Sequence, residues 1–238
     1  VAVAGSPCPP VRVLTLTNGE GPVSVDPDAC AVDVSGTTYK RLLISDNGDA
    51  DAAATLAALD AALGAGCAEW TLAGGALRIW RTTALTGDGD FGPLAKLVAI
   101  TGKGSNGYSL YIRSNDALQS LDGLARLRGA LPGGIYMDGN QELRNLDGLA
   151  GLDGLDAGGG TNGVSQQCPY SVYVGGNAKL TSVAGLRGAL RGRTLPSRLD
   201  IQSNGVLASA AGLEGLVGAT TSVTIAGNNA VAGGMCIA

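Results

Sequence analysis

Leu110-Tyr-Ile-Arg-Ser-Asn115 is the first of five segments with one form. The others are Ile135-Tyr-Met-Asp-Gly-Asn140, Val172-Tyr-Val-Gly-Gly-Asn177, Leu199-Asp-Ile-Gln-Ser-Asn204 and Val223-Thr-Ile-Ala-Gly-Asn228. Each reads apolar-x-apolar-x-small-Asn, and the asparagines fall 25, 37, 27 and 24 residues apart. Alternation of this kind makes a short strand with Leu110 and Ile112 facing in and Tyr111 and Arg113 facing out. The Asn stands where the chain turns off the strand, where its amide can satisfy open backbone groups, and stacked copies can form a ladder. A repeat of this length cannot bury its own apolar face, so successive repeats must stack.

The pattern extends in both directions. Upstream, Leu42-Leu-Ile-Ser-Asp-Asn47 keeps the Asn and Leu77-Arg-Ile-Trp-Arg-Thr82 replaces it with Thr. The expected ladder is therefore Asn47, Asn115, Asn140, Asn177, Asn204 and Asn228. Downstream of each Asn, an apolar residue recurs at the third position (Leu118, Leu143, Leu180, Leu207, Val231), and in four repeats another at the sixth (Leu121, Leu146, Val183, Ala210). A Gly-Leu pair follows at Gly123-Leu124, Gly148-Leu149, Gly185-Leu186 and Gly212-Leu213. The leucines point back to the core and the glycines permit tight turns.

Residues 49 to 66 read as a helix that caps the stack. Asp49 or Asp51 is the N-cap, Leu56, Leu59 and Leu63 share one face, and Gly64 and Gly66 stop it. Residues 1 to 37 form a separate β-rich N-terminal region, either a small β-cap or an extended arm, ahead of the repeats over 38 to 238. Residues 156 to 170 read as a loop inserted into one repeat, which accounts for the 37-residue spacing.

Composition agrees. Gly makes up 39 of 238 residues, roughly double the usual share of about 7%. Aromatic residues are only 4%, so Leu, Val, Ile and Ala must fill the core. No apolar run reaches the roughly 18 residues of a membrane helix; the nearest, Ala52 to Ala68, is interrupted by Asp60. The chain begins at Val1 with no basic-then-apolar leader, as after removal of a signal peptide or trimming of the N-terminus. There is no Asn-x-Ser/Thr sequon. Net charge is −4 and the basic residues are scattered, which argues against nucleic acid as a partner. His is absent, removing the commonest general base and metal ligand. No nucleophile elbow, phosphate-binding loop or cofactor motif is present. Asp46-Asn-Gly-Asp-Ala-Asp51 has the wrong spacing for a calcium loop and reads as a helix start, and Thr86-Gly-Asp-Gly-Asp90 reads as a turn. The expectation is a protein without catalytic residues, metal or cofactor.

The segments from Cys30 to about Val231 resemble the receptor L domain found in the extracellular parts of insulin- and epidermal-growth-factor-type receptors. The resemblance is carried by Cys67 followed by Leu72-Ala-Gly-Gly-Ala-Leu-Arg-Ile79, by Ile100-Thr-Gly102 before Leu110-Tyr-Ile112, and by Ala117-Leu-Gln-Ser-Leu-Asp-Gly-Leu124. It implies an α/β solenoid: a leucine-rich-repeat-like right-handed β-helix with an N-terminal capping helix. It also implies a Cys30–Cys67 disulfide, leaving Cys8, Cys168 and Cys236 unassigned. Five cysteines without a C-x-x-C pair fit structural disulfides and a secreted or cell-surface location. No Cys-rich module or kinase accompanies the repeats, so receptor signalling is not implied.

Registering the strands lines up the outward positions. One row holds Arg78, Tyr111, Tyr136, Tyr173, Asp200 and Thr224, and the next holds Trp80, Arg113, Asp138, Gly175, Gln202 and Ala226. Tyrosines flanked by Arg78, Trp80, Arg113, Asp138, Asp200 and Gln202 can bind a protein or glycan ligand. Alternatively they only stack on one another to stabilise the sheet. Two functions follow: an extracellular recognition module using the strand face, or a structural subunit that assembles with copies of itself through its ends, the N-terminal arm or the odd cysteine.

Overall fold

The computed structural model describes residues 12–15, 20–48, 50–87, 89–155, 170–219 and 222–228. Cys8, Cys168, Cys236 and the expected loop at 156 to 170 lie outside the described residues, apart from Tyr170, which opens a strand instead. The elements are β1 (Arg12–Thr15), β2 (Pro22–Asp26), β3 (Ala31–Asp33), β4 (Arg41–Ser45), α1 (Ala52–Leu63), β5 (Trp70–Ala73), β6 (Ala76–Trp80), β7 (Leu97–Ile100) and β8 (Tyr108–Arg113). They continue as β9 (Gly129–Leu131), β10 (Gly134–Asp138), β11 (Leu152–Leu155), β12 (Tyr170–Gly175), α2 (Arg187–Leu190), β13 (Thr194–Leu195), β14 (Arg198–Gln202), β15 (Gly218–Ala219) and β16 (Val223–Ala226). The chain is mostly parallel β-sheet with few helices.

Each repeat visits three sides. The outer side is a seven-stranded parallel sheet in the order β4-β6-β8-β10-β12-β14-β16. The second side carries shorter parallel pairings, β3-β5-β7, β9-β11 and β13-β15. The third side is a line of turns: α1, then 3₁₀ turns at Gly92–Lys96, Asp122–Leu124, Asp147–Leu149 and Ala184–Leu186, each packed on the one before. One apolar core runs between the sides from Val23 to Leu216, with the inward strand residues Leu110, Ile112, Ile135, Val172, Leu199 and Ile201 and the return-limb residues Leu118, Leu121, Leu143 and Leu146 all buried. Each fully buried Leu contributes about 1.5–3 kcal/mol, so about fifty buried apolar side chains suffice without a large aromatic content. The two large exceptions, Trp70 and Phe91, sit near the N-terminal end, where Trp70 Nε1 donates to Pro93 O at 2.7 Å.

The Gly-Leu pairs mark where the turn side is tightest. A Cβ on Gly148 would stand 1.8 Å from Leu121 O, and one on Gly185 would stand 1.8 Å from Leu146 O. These positions accept only glycine because the backbone of one repeat rests directly on that of the preceding repeat.

One expectation about the N-terminal end changes. The helix begins where expected, with the Asp51 carboxylate accepting from Ala54 N at 2.8 Å. It does not, however, close the end by itself. Its buried face, with Thr55, Leu56, Leu59 and Leu63, packs on the core beside the first 3₁₀ turn, so α1 is the third side of the first repeat. The end is covered by the antiparallel β1-β2 pair, which extends the second sheet through β3 and reaches α1. Val23, Val25, Val32 and Val34 are fully buried there. Of the two readings of the N-terminal region, its described part is a β-cap sharing the core of the repeats rather than a free arm.

Candidate binding face on the outer sheet

The outward residues stand in the two expected rows. Arg78 pairs with Tyr111, Tyr111 with Tyr136, Tyr136 with Tyr173, and Tyr173 with Asp200. Trp80, Arg113, Asp138, Gly175 and Gln202 register likewise in the next row. Parallel pairing without a shift along these residues is what keeps like side chains side by side, one every ~4.8 Å.

The tyrosine rings use their faces on one another. Tyr111 and Tyr136 stack at 4.7 Å between centroids with 7° between planes, and Tyr136 and Tyr173 stack at 4.7 Å and 12°. The Arg78 guanidinium covers the Tyr111 ring at 4.5 Å. Tyr111 and Tyr136 are consequently only 6% and 5% exposed, so neither offers an open ring face to a sugar. What they present is a rigid surface from which hydroxyls emerge toward the second row. Tyr136 Oη lies 3.5 Å from Asp138 Oδ2, and Gln202 Nε2 donates to Tyr173 Oη at 3.2 Å. Gly175 is the gap in that row that admits Tyr173: a Cβ there would meet its hydroxyl at 2.5 Å.

Two further tyrosines belong to the cluster and were not anticipated. Tyr108, fully buried, lies 5.2 Å from the Tyr136 ring, and Tyr170 sits edge-on to Tyr173 at 5.1 Å. The repeated phrases Tyr108-Ser-Leu-Tyr111 and Tyr170-Ser-Val-Tyr173 were the available signal. They were obscured because a spacing of three breaks strand alternation, and the register does shift at the starts of β10 and β12.

Burial dominates the electrostatics. It raises the phenol pKa of Tyr108, Tyr136 and Tyr173 above the ordinary value. It also raises that of Asp138, against the opposing effect of Arg113, whose Nε stands 3.0 Å from Asp138 Oδ2. Asp200 is 1% exposed; Oδ2 accepts from Arg198 Nη2 at 2.7 Å, and Oδ1 has no hydrogen-bond partner among the described residues. Arg198 in turn lies over the Tyr170 ring at 4.9 Å.

The asparagines close the edge of the face. Asn115, Asn140, Asn177 and Asn204 each donate from backbone N and from Nδ2 to the Oδ1 of the next Asn, at 2.8 to 3.2 Å, ending on Asn228. The Nδ2 groups also reach strand carbonyls, such as Asn115 to Ile79 O and Asn140 to Ile112 O. Thr82 joins at the N-terminal side, donating N and Oγ1 to Asn115 Oδ1. Asn47 is a correction: it holds the equivalent sequence position but is exposed, and its Oδ1 accepts from Arg81 Nη1. The backbone differs there: the residue before each ladder member has positive φ (Arg81, Ser114, Gly139, Gly176, Ser203 and Gly227), whereas Asp46, before Asn47, does not. Asp46 ties the first two repeats instead, accepting from Thr83 N and Oγ1 and from Ala52 N.

Cys30 and Cys67 form a disulfide. The Asp90 carboxylate accepts from Thr86 N, Thr86 Oγ1 and Gly87 N, so it organises its own turn. Among the described residues no group of three or more acidic or Cys side chains could hold a metal ion, and no helix is long and apolar enough to cross a membrane. No family model, curated protein or solved structure matches this chain, and the likeness to the receptor L domain therefore rests on the quoted residues alone.

Proposed function

We propose that this chain is a non-enzymatic extracellular recognition module. In this reading it is a right-handed, leucine-rich-repeat-like solenoid of receptor L-domain type that binds a protein or glycan through the outer sheet. The observation that carries the reading is the packing of that face: stacked tyrosines hold two registered rows and leave Trp80 beside the polar side chains of Arg113, Asp138 and Gln202. A pre-organised surface binds without the entropic cost of ordering its side chains. The disulfide supports an oxidising, extracellular setting.

The test is to probe glycan and protein arrays with the full chain and with variants. Trp80→Ala and Gln202→Ala should abolish or weaken the hits, while Arg126→Gln and Arg187→Gln, on the turn side, should leave them intact. Hits that ignore the face variants and respond to the turn-side ones would overturn the reading.

A structural subunit is the second reading. The observation favouring it is that three exposed valines, Val206, Val217 and Val223, lie in the last described repeats, where β16 is an edge strand. Edge strands with exposed apolar residues are sites of self-association. The two readings separate on oligomeric state.

A further inference from the structure

Across β4, β6 and β8 the outer face carries an arginine on each strand. Arg41 stands two residues before Leu43, the partner of Arg78, and Arg113 stands two residues after Tyr111, the other partner of Arg78. The three therefore step diagonally, one strand across and two residues along, about 8 Å between Cα atoms per step. Two of them have carboxylate partners: Arg41 pairs with Glu20 and Arg113 with Asp138. Arg78, the middle one, makes no ion pair among the described residues, and its Nε has no hydrogen-bond partner. It is instead held over two rings, 4.4 Å from Trp80 and 4.5 Å from Tyr111. Arg81 adds a fourth guanidinium, 4.8 Å from Trp80. Burial and the neighbouring Arg41 push the Arg78 pKa down to about 10, against the opposing effects of Tyr111 and Glu20.

A guanidinium lying flat on a ring keeps its N–H edge free for a planar oxyanion. Tyr111 is buried and guanidinium groups lie over the Tyr111 and Trp80 rings, which disfavours a neutral sugar that would need an open aromatic face. A folded protein partner would seek an apolar anchor point. Among the described residues the exposed large hydrophobic side chains are Val13, Tyr39, Val206, Val217 and Val223; of these only Tyr39 borders the line, at its end, with the Arg41 guanidinium 4.4 Å over its ring. A diagonal line of cations with no apolar centre suits a linear polyanion.

We propose that the β4-β6-β8 half of the face binds an acidic polysaccharide, with Arg78 receiving a carboxylate or sulfate group between Arg41 and Arg113. The proposal rests on the recognition reading and narrows it to a ligand class. Binding is carried by charge-assisted hydrogen bonds and falls as salt rises.

The test titrates the full chain with polygalacturonate, with dextran sulfate and with neutral dextran, at low and high ionic strength. One or both polyanions should bind and dextran should not, and which polyanion binds tells carboxylate from sulfate. Arg78→Gln and Arg113→Gln should each weaken binding about tenfold or more, the loss expected for one charge-assisted hydrogen bond. Arg126→Gln should weaken it less than about twofold, the effect of an exposed charge outside the contact. Melting curves confirm that each variant is folded, and Arg113, more exposed than Arg78, carries the test if Arg78→Gln does not fold. Equal binding by wild type and both face variants, or an equal loss in Arg126→Gln, overturns the proposal. So does binding of neither polyanion; array hits on neutral glycans or proteins that still depend on Trp80 and Gln202 would then leave the recognition reading standing, whereas hits independent of the face would remove both.

Discussion

Asn140 Oδ1 accepts two hydrogen bonds from Asn115, one from its backbone N at 3.2 Å and one from its Nδ2 at 2.8 Å. One side-chain oxygen thus satisfies two buried donors in the preceding repeat, while Asn140 Nδ2 serves Ile112 O and Asn177 Oδ1. Asn140→Ala strips partners from both sides. At about 1–3 kcal/mol per unsatisfied buried group, a loss of roughly 3 kcal/mol or more is expected in denaturant unfolding. Asn47→Ala, exposed and outside the ladder, should change stability by less than about 0.5 kcal/mol. Equal effects of the two substitutions would contradict the ladder.

Gly148→Ala and Gly185→Ala should each lower the unfolding midpoint sharply, because the new Cβ would meet a carbonyl oxygen at 1.8 Å and the repeats would have to part. Overpacking of this kind costs about 1–3 kcal/mol or more. Gly66, past the end of α1, has nothing within 4 Å of its Cβ position, and Gly66→Ala should be neutral or stabilising by about 0.4–1 kcal/mol through the unfolded chain. Thermal melts of the three variants decide this.

The Cys30–Cys67 bridge closes a 37-residue separation. Chain-entropy arguments give such a loop about 4 kcal/mol. Unfolding with and without reductant should show a loss of that order, and Cys67→Ser should reproduce most of it. A bridge without effect would mean that the β-cap and α1 hold the N-terminal end unaided.

The phenols of Tyr108, Tyr136 and Tyr173 are raised by burial, so ionisation is disfavoured in the folded state. Below the unfolded pKa of about 10 the phenols are neutral in both states and stability does not depend on them. As pH climbs above that value the unfolded chain ionises first, and stability falls toward the folded pKa. Ultraviolet titration should therefore show the phenols of Tyr108, Tyr136 and Tyr173 ionising together with unfolding. Ionisation of these three phenols near pH 10 without unfolding would contradict the stack.

How far the chain could be read before its structure depends on what each residue answers to. The registers Arg78–Tyr111–Tyr136–Tyr173 and Trp80–Arg113–Asp138 were legible because strand alternation and a repeated Asn determine them locally. Tyr108 and Tyr170 were not, since their place depends on shifts at the strand starts that alternation does not describe. Asn47 matched the ladder in sequence, but membership goes with positive φ at the residue before the Asn, which Asp46 does not adopt. The glycines before Leu149 and Leu186 were visible as turn residues; that they admit the preceding backbone at contact distance emerges only from stacking. The role of β1 and β2 in closing the end was hidden because their pairing partners lie in the second sheet and α1.

The measurement that bears most directly on the claim that this chain acts as a single recognition unit is its mass in solution, by light scattering with and without reductant. A mass of one chain under both conditions is the expected result and leaves the outer face free for a ligand. A large assembly, or a dimer that reductant dissolves, would contradict it and transfer the argument to the edge at β16.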